Sequence, residues 1–518
     1  MTEDSRLNTE DYLSDAAHFP GGHSPGVVFP RNQAEVVESL RTASSVLPIG
    51  AQSSLTGGAT PMGETILSTS KMSRIIDVRP GQITVEPGVT VAAIQERLHD
   101  EGAWFPPVPT FTGACAGGIV ATNAAGAATF KYGSTRGWVK GLTVALADGT
   151  VAEIRRGEHR ARDGRFQIET TRGRIAVPVP TYSMPRVAKC SAGYFAAPDM
   201  DVVDLFIGSE GTLGVITQVT FATVSPAPNI ILALVFCESE AQGLAVTAAI
   251  RHASAQTWRT GDLAGIDACA IEYMDRRSLA IIREDGAATR HNVAIPSTAA
   301  LALLVQLEVG ANVDAAAAYA QVQSSLESAA DDTALTRFCR LLDEAGLLAE
   351  TEIALPHDRR RAADLLAIRE AVPTGVNQRV STAKRTIDAR IEKVAGDMVV
   401  PFERTAEMMD VYRKGYETRG LDYAIWGHLS DGNVHPNVIP RSFDDVANGK
   451  AALMDFGREI ARLGGCPLAE HGVGRSLIKQ ALLRQLYGDE GIEEMRAIKR
   501  ALDPEWKLAP GVIFAPHR

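Results

Sequence analysis

Two histidines, His428 and His435, bracket the turn-like SDGN inside AIWGHLSDGNVHPNVIP at 424–440. The flanking runs read as strands. A tight turn between them predicts a hairpin that brings two imidazoles to one metal ion. Further on, LAEHGVGRS at 468–476 supplies Glu470 and His471. Glu470 would add a carboxylate, giving three protein ligands and the open position that a catalytic zinc requires. His471 needs a different geometry and is the better candidate for general base. A single histidine beside a turn more often serves structure than chemistry. Two of them plus a Glu-His pair, among 11 histidines in all, fit that alternative less well, but spacing alone leaves it open.

The second chemical feature is glycine, with 46 residues. GAQSSLTGGATPMG at 50–63 follows a strand-like SVLPI. Glycines remove Cβ atoms so that amide N–H groups can converge on an anion, and Ser53, Ser54 and Thr56 add hydroxyl donors. Two more such segments follow, PTFTGACAGGIVATNAAGAATFKYGSTRGWVKGL at 109–142 and DLFIGSEGTLGVITQV at 204–219. There is no GxxxxGK(S/T), and no GxGxxG opens a helix ahead of an acidic residue. The first loop alone reads more readily as an ordinary turn-rich loop. Three together imply a long, phosphate-containing cofactor threaded against backbone.

The elements that must position these groups follow from a chain of 518 residues, 45% hydrophobic and 22% charged, which is globular composition for two or three domains. VVF at 27–29 and SVLPI at 45–49 read as strands, separated by a helix over AEVVESLRTAS that Asn32 and Glu35 open as a capping box. QITVEPG at 82–88 is strand-like, and VAAIQERLHDEG puts Val91, Ile94 and Leu98 on one helical face before Gly102. This alternation points locally to an α/β arrangement. SPAPN at 225–229 marks a domain boundary. IILALVFC, AQGLAVTAAIRHA and LALLVQLEV then resemble an α+β unit with an antiparallel sheet, and DAAAAYAQVQSSLESAADD reads as a helix. From about 445 onward the pattern is helical.

The net charge of −10 makes a nucleic-acid-coating surface a poor fit. Six cysteines without a CxxC exclude a zinc ribbon or a self-contained iron–sulfur motif and suit a reducing cytosol. The opening MTEDSRLNTEDYLSD is acidic and polar, unlike a signal or transit peptide. The uncharged stretch 102–130 has too few large apolar residues for a membrane span. A cytoplasmic protein is expected, with peripheral attachment at a membrane surface as one option.

The glycine segments resemble the flavin-binding domain of the vanillyl-alcohol oxidase/p-cresol methylhydroxylase (PCMH)-type flavoproteins. Over essentially the whole chain the similarity is to the branch holding D-lactate dehydrogenase, the flavin subunit of glycolate oxidase and D-2-hydroxyglutarate dehydrogenase. The resemblance implies an α+β fold. It places a two-subdomain PCMH-type FAD-binding domain at 1–225, an α+β cap with an antiparallel sheet at 226–445, and a helical segment at 446–518 that returns to the flavin domain. The family's pyrophosphate loop corresponds to Gly50, Ala51, Gln52, Ser53, Ser54, Leu55, Thr56, Gly57 and Gly58. Its adenine and isoalloxazine segment corresponds to Pro109, Thr110, Gly113, Ala116, Gly117, Gly118, Thr122, Asn123, Tyr132 and Gly133. IGSEGTLGVIT is the strongest local match and contributes Glu210, Gly211, Gly214, Val215 and Ile216. KCSAGY at 189–194 resembles the family's K-N-x-x-G-Y, with Cys190 where Asn is usual. The first glycine loop has no histidine, which implies non-covalent FAD.

In that branch the matching His-x6-His and Glu hold a divalent metal, zinc or else manganese or iron. They map to His428, His435 and Glu470. Asn437 maps to a substrate contact and His471 to the base. IREAVP at 368–373 puts Arg369 on the substrate carboxylate, which a planar guanidinium grips bidentately. GDMVVP at 396–401 matches a family strand, but Ala395 stands where a Lys is expected, so the substrate's tail is not assigned. The resemblance implies oxidation of a D-2-hydroxy acid (D-lactate, glycolate or D-2-hydroxyglutarate-like) to the 2-oxo acid, with the substrate oxygens on the metal, the hydroxyl proton to His471 and a hydride to flavin N5. It implies an external electron acceptor: a quinone, a cytochrome, an electron-transfer flavoprotein or an iron–sulfur subunit. Homodimerisation is an option. The alternatives are an alkyl-glycerone-phosphate synthase-like enzyme, an alcohol or aldonolactone oxidase, and a non-catalytic flavin subunit of a larger complex.

Overall fold

The strands expected at 45–49 and 82–88 both form, but in different sheets. In the computed structural model, which describes residues 9–107 and 109–515, Val46–Ile49 lies in a three-stranded parallel sheet with Val27–Val28 and Thr65–Ser68. The first residues of the acidic opening stretch and the expected chain-end domain limits at 1 and 518 fall outside the described residues. The helix Gln33–Thr42 is capped as expected, Asn32 Oδ1 accepting from the Glu35 N–H at 3.0 Å, and it buries Val36 and Leu40. Gln82–Val85 belongs instead to a five-stranded sheet in the order Ile75–Arg79, Gln82–Val85, Val215–Ala222, Val139–Ala145, Val151–Arg155, antiparallel throughout. The α/β reading is therefore corrected: among the described residues the small sheet is the one built of parallel strands, the larger sheets are antiparallel, and the class is α+β.

The chain divides into two compact units. The first contains residues up to 126, 133–225 and 466 onward. It holds the two sheets above, the ribbon Arg165–Thr170/Gly173–Pro178 and the helix Leu477–Leu502, whose backbone breaks at Gly488. The second contains 127–132 and 226–465. Its antiparallel sheet runs Glu352–Ala354, Asn229–Cys237, Leu301–Val309, Ala268–Met274, Tyr423–His428, Asn433–Val438, Val394–Ala395, with Met398–Val399 also on Asn433–Val438. Every residue of Ala268–Met274 is buried, so both faces of the sheet centre are covered, and the one carboxylate in that strand, Glu272, must find partners. The Ala-rich stretch is helical over Ala315–Ser324 only; beyond it SLESAADD turns away, since Ser, Asp and Glu compete for backbone hydrogen bonds. Among the described residues no helix is long and apolar enough to cross a membrane.

Candidate flavin and metal sites

The expected histidine hairpin forms from Tyr423–His428 and Asn433–Val438. Gly432 closes its turn at φ +77°, where a Cβ would stand 2.2 Å from the Val400 carbonyl oxygen, so only glycine fits. His428 pairs with Asn433 and Trp426 with His435, which puts the two imidazoles diagonally on one face. Gly427, at φ +140°, leaves room for the His435 ring, whose Cδ2 is 2.8 Å from the position a Cβ would take. The rings are buried, 5.6 Å apart between centroids and nearly perpendicular. Two imidazoles so placed suit a divalent ion of zinc type.

Sequence reasoning missed the residue that organises this wall. Glu272 accepts a very short hydrogen bond from His428 Nδ1 with one oxygen and a 2.8 Å bond from Arg369 Nε with the other. Burial alone would push its carboxyl up; the charges of His428 and Arg369 outweigh that and hold it well below the usual carboxylate range. A carboxylate can only accept, so His428 donates from Nδ1, which leaves Nε2 as the nitrogen that would hold a metal once it has given up its proton. A carboxylate inside the apolar run ACAIEYM was the available signal. Arg369 sits on the helix Arg359–Thr386 and also donates to Glu370 at 2.9 Å. Asp397, likewise missed, lies with Oδ1 3.9 Å from His435 Nδ1. Asn437 donates to the His435 carbonyl at 3.0 Å, while its buried Oδ1 has no hydrogen-bond partner among the described residues.

Glu470 and His471 stand in the first unit, in the stretch ahead of Leu477–Leu502. The KCSAGY segment grips that stretch: the Ser191 N–H donates to Leu468 O at 2.9 Å and Ser191 Oγ to Ala469 O at 3.0 Å. Lys189, 1% exposed, donates to Glu470 Oε2 at 2.9 Å, and His471 Nε2 is 3.3 Å from Glu470 Oε1.

The three glycine loops share an unusual backbone. Gln52 (φ 51°), Asn123 (φ 49°) and Glu210 (φ 51°) are all left-handed without being glycine, a cost kept where the chain needs special turns. The second and third loops are joined by Glu210 N–H to Ala121 O at 2.8 Å and Gly208 N–H to Val120 O at 3.0 Å. Leu55 and Phe111, in the first and second loops, are 50% and 56% exposed, and the space around a Cβ at Gly118 is open. Amide-rich turns beside uncovered apolar side chains fit an FAD, which brings both a pyrophosphate and flat rings. Tyr132 is placed differently from the rest: it belongs to the second unit, where its hydroxyl bonds Glu308 at 2.7 and 2.8 Å beside Lys131, which itself reaches Asp267 at 2.7 Å.

The Glu210 carboxylate accepts from the Val473 and Gly474 N–H groups, both at 2.8 Å. Burial nevertheless pushes its pKa up to about 7, against those donors. A folded-state pKa above the unfolded value means the native state binds the extra proton, so this group removes stability as pH rises from about 4.5 to about 7. Thermal melts across that window should show Glu210→Gln losing less stability with rising pH than the parent, by up to about 3 kcal/mol. Parallel pH curves would contradict it.

The FAD binding domain family matches residues 24–155, and the family described as FAD linked oxidases, C-terminal domain, matches residues 235–513. The chain is 28% identical to glycolate oxidase subunit GlcD of Bacillus subtilis (strain 168), with 99% of this chain and 94% of that protein covered. It is 27% identical to the mitochondrial D-2-hydroxyglutarate dehydrogenase of Bos taurus (96% and 78% covered) and 28% identical to the probable mitochondrial D-lactate dehydrogenase of Danio rerio (94% and 84%). Among solved structures, an alkyldihydroxyacetonephosphate synthase superposes with a TM-score of 0.57 at 15% identity over 93% of this chain and 75% of that one, a likeness of fold alone. With an FAD-binding domain ahead of a matching C-terminal domain that spans more than half its length, the chain belongs to the FAD-linked oxidases and has their PCMH-type fold.

Proposed function

We propose that this chain oxidises a D-2-hydroxy acid of the D-lactate, glycolate or D-2-hydroxyglutarate kind to the 2-oxo acid. The observation that carries the reading is Glu272, which ties an imidazole and a guanidinium into one buried wall. A metal ligand fixed beside a carboxylate-binding Arg suits a small anion that offers a carboxylate and a neighbouring hydroxyl. FAD, when bound, would take the hydride from C2, and a divalent metal, when bound, would polarise the hydroxyl. His428, His435 and Glu470 are the proposed ligands. Arg369 binds the carboxylate, since a five-donor fork can hold Glu272 with one edge and present another. Asn437 Oδ1 orients the hydroxyl, and a His471 ring nitrogen takes its proton. FAD is held through the three glycine loops without a covalent bond, and the electrons leave to an external acceptor.

Anaerobic addition of each candidate acid should bleach the flavin band near 450 nm with the D- but not the L-enantiomer of a chiral acid. No bleaching by any 2-hydroxy acid would overturn the reading, and would move weight to the synthase-like or non-catalytic alternatives. Arg369→Lys should raise KM about 10- to 100-fold with a smaller change in kcat, because a point charge replaces a bidentate fork. An unchanged KM would remove Arg369 from the substrate.

A further inference from the structure

The six cysteines look scattered along the sequence, yet two of them meet. Cys190, in KCSAGY, and Cys466, in GGCPLAEH, have Sγ atoms 3.4 Å apart, both within the first unit. Cys466 is wholly buried, with its thiol also 3.2 Å from Leu468 O; Cys190 is partly exposed. The other four cysteines are buried. The backbone on both sides is already held in register by Ser191 with Leu468 and Ala469, and by Lys189 with Glu470. Two thiols in van der Waals contact between clamped segments have to close from 3.4 Å to the roughly 2.05 Å of a disulfide.

We propose that Cys190 and Cys466 are a reversible redox modification site, oxidised by a peroxide to a disulfide that pins the Glu470–His471 stretch to the Lys189 segment. Cys190, the less buried of the two, reacts first. Its thiolate attacks one oxygen of hydrogen peroxide, the O–O bond breaks, hydroxide leaves and a sulfenic acid forms. The Cys466 sulfur then attacks the Cys190 sulfur, breaks the S–O bond and releases water. Together the two thiols lose two electrons and two protons, and the peroxide becomes two waters. The thiol contact with Cys466 and the positive charge of Arg136 favour the Cys190 thiolate, against the effect of burial.

The test treats the full-length, FAD-loaded protein with stoichiometric hydrogen peroxide, quenches it in acid and labels it with a maleimide after denaturation without reductant. Two fewer of the six cysteines should label, the intact mass should fall by about 2 Da, and digestion should yield one peptide joining residues 190 and 466. A thiol reductant should restore all the labels. Cys190→Ser should leave Cys466 fully labelled after peroxide. Cys466→Ser should leave a sulfenic acid on Cys190 that dimedone traps. Amide exchange over residues 466–470 should slow in the oxidised protein. Full labelling after peroxide, a different cysteine pair, a linkage between chains, or sulfinic acid on Cys190 in the parent would each overturn the site. Unchanged exchange over 466–470 would overturn the pinning.

Discussion

Replacing His471 by alanine is expected to lower kcat for 2-hydroxy-acid oxidation by about a hundred- to ten-thousand-fold, the range of a lost general base. FAD absorbance and metal content should stay at parental levels. The effect is this large because breaking the substrate's O–H bond must accompany loss of hydride from C2, and without a positioned acceptor that proton goes to water. The variant is a fair test because the His471 side chain is 30% exposed, so its removal leaves little cavity. The pH dependence of kcat/KM in the parent should rise through an ionisation that is missing in the variant. His471→Gln, which keeps the volume and hydrogen-bonding capacity but cannot take a proton, should be as slow as His471→Ala. Wild-type turnover with a normal flavin spectrum in either variant would remove His471 from the chemistry and point to another proton acceptor.

The hairpin carrying His428 and His435 was legible because its signals are local: alternating strand-like runs, SDGN between them, and a turn that only glycine at 432 can close. The three glycine loops were legible for the same reason. What the sequence hid is long-range. Strand–helix alternation in the first hundred residues looks the same whether strands pair in parallel or against a partner far along the chain. Here Gln82–Val85 pairs with Val215–Ala222 and turns the expected α/β sheet antiparallel. Glu272 reads as one acid in an apolar strand, and only the fold brings His428 and Arg369 to it from two other elements. Cys190 and Cys466, 276 residues apart, carry no pattern at all. Tyr132 follows a glycine-rich stretch that reads as cofactor loop, yet its hydroxyl is committed to Glu308, a partner that no local pattern announces.

Glu272→Gln is expected to cut kcat/KM by about a thousandfold, combining a 10- to 100-fold loss of metal affinity with weakened substrate binding. The argument is one of donors and acceptors. Glu272 is 2% exposed and receives N–H bonds on both oxygens, from His428 and from Arg369. An amide accepts with its oxygen and donates with its nitrogen, so in the variant one N–H must face another. If the clash falls on Arg369, the guanidinium loses the buried one of its two carboxylate partners and keeps only the exposed Glu370, a cost of about 1–3 kcal/mol. If it falls on His428, the ring turns or changes tautomer and no longer offers Nε2. Two readouts separate this from plain destabilisation. Zinc or cobalt titrated into chelator-stripped protein should bind 10- to 100-fold more weakly to the variant. When metal is then supplied to saturation, part of kcat/KM should return while KM stays high, because metal repairs the His428 side but not the Arg369 side. Glu272→Asp, which keeps both acceptors on a shorter arm, should sit between the two. Parental metal affinity together with parental KM in Glu272→Gln would show that the carboxylate serves only the packing of its strand, and would take away the observation on which the proposed activity rests.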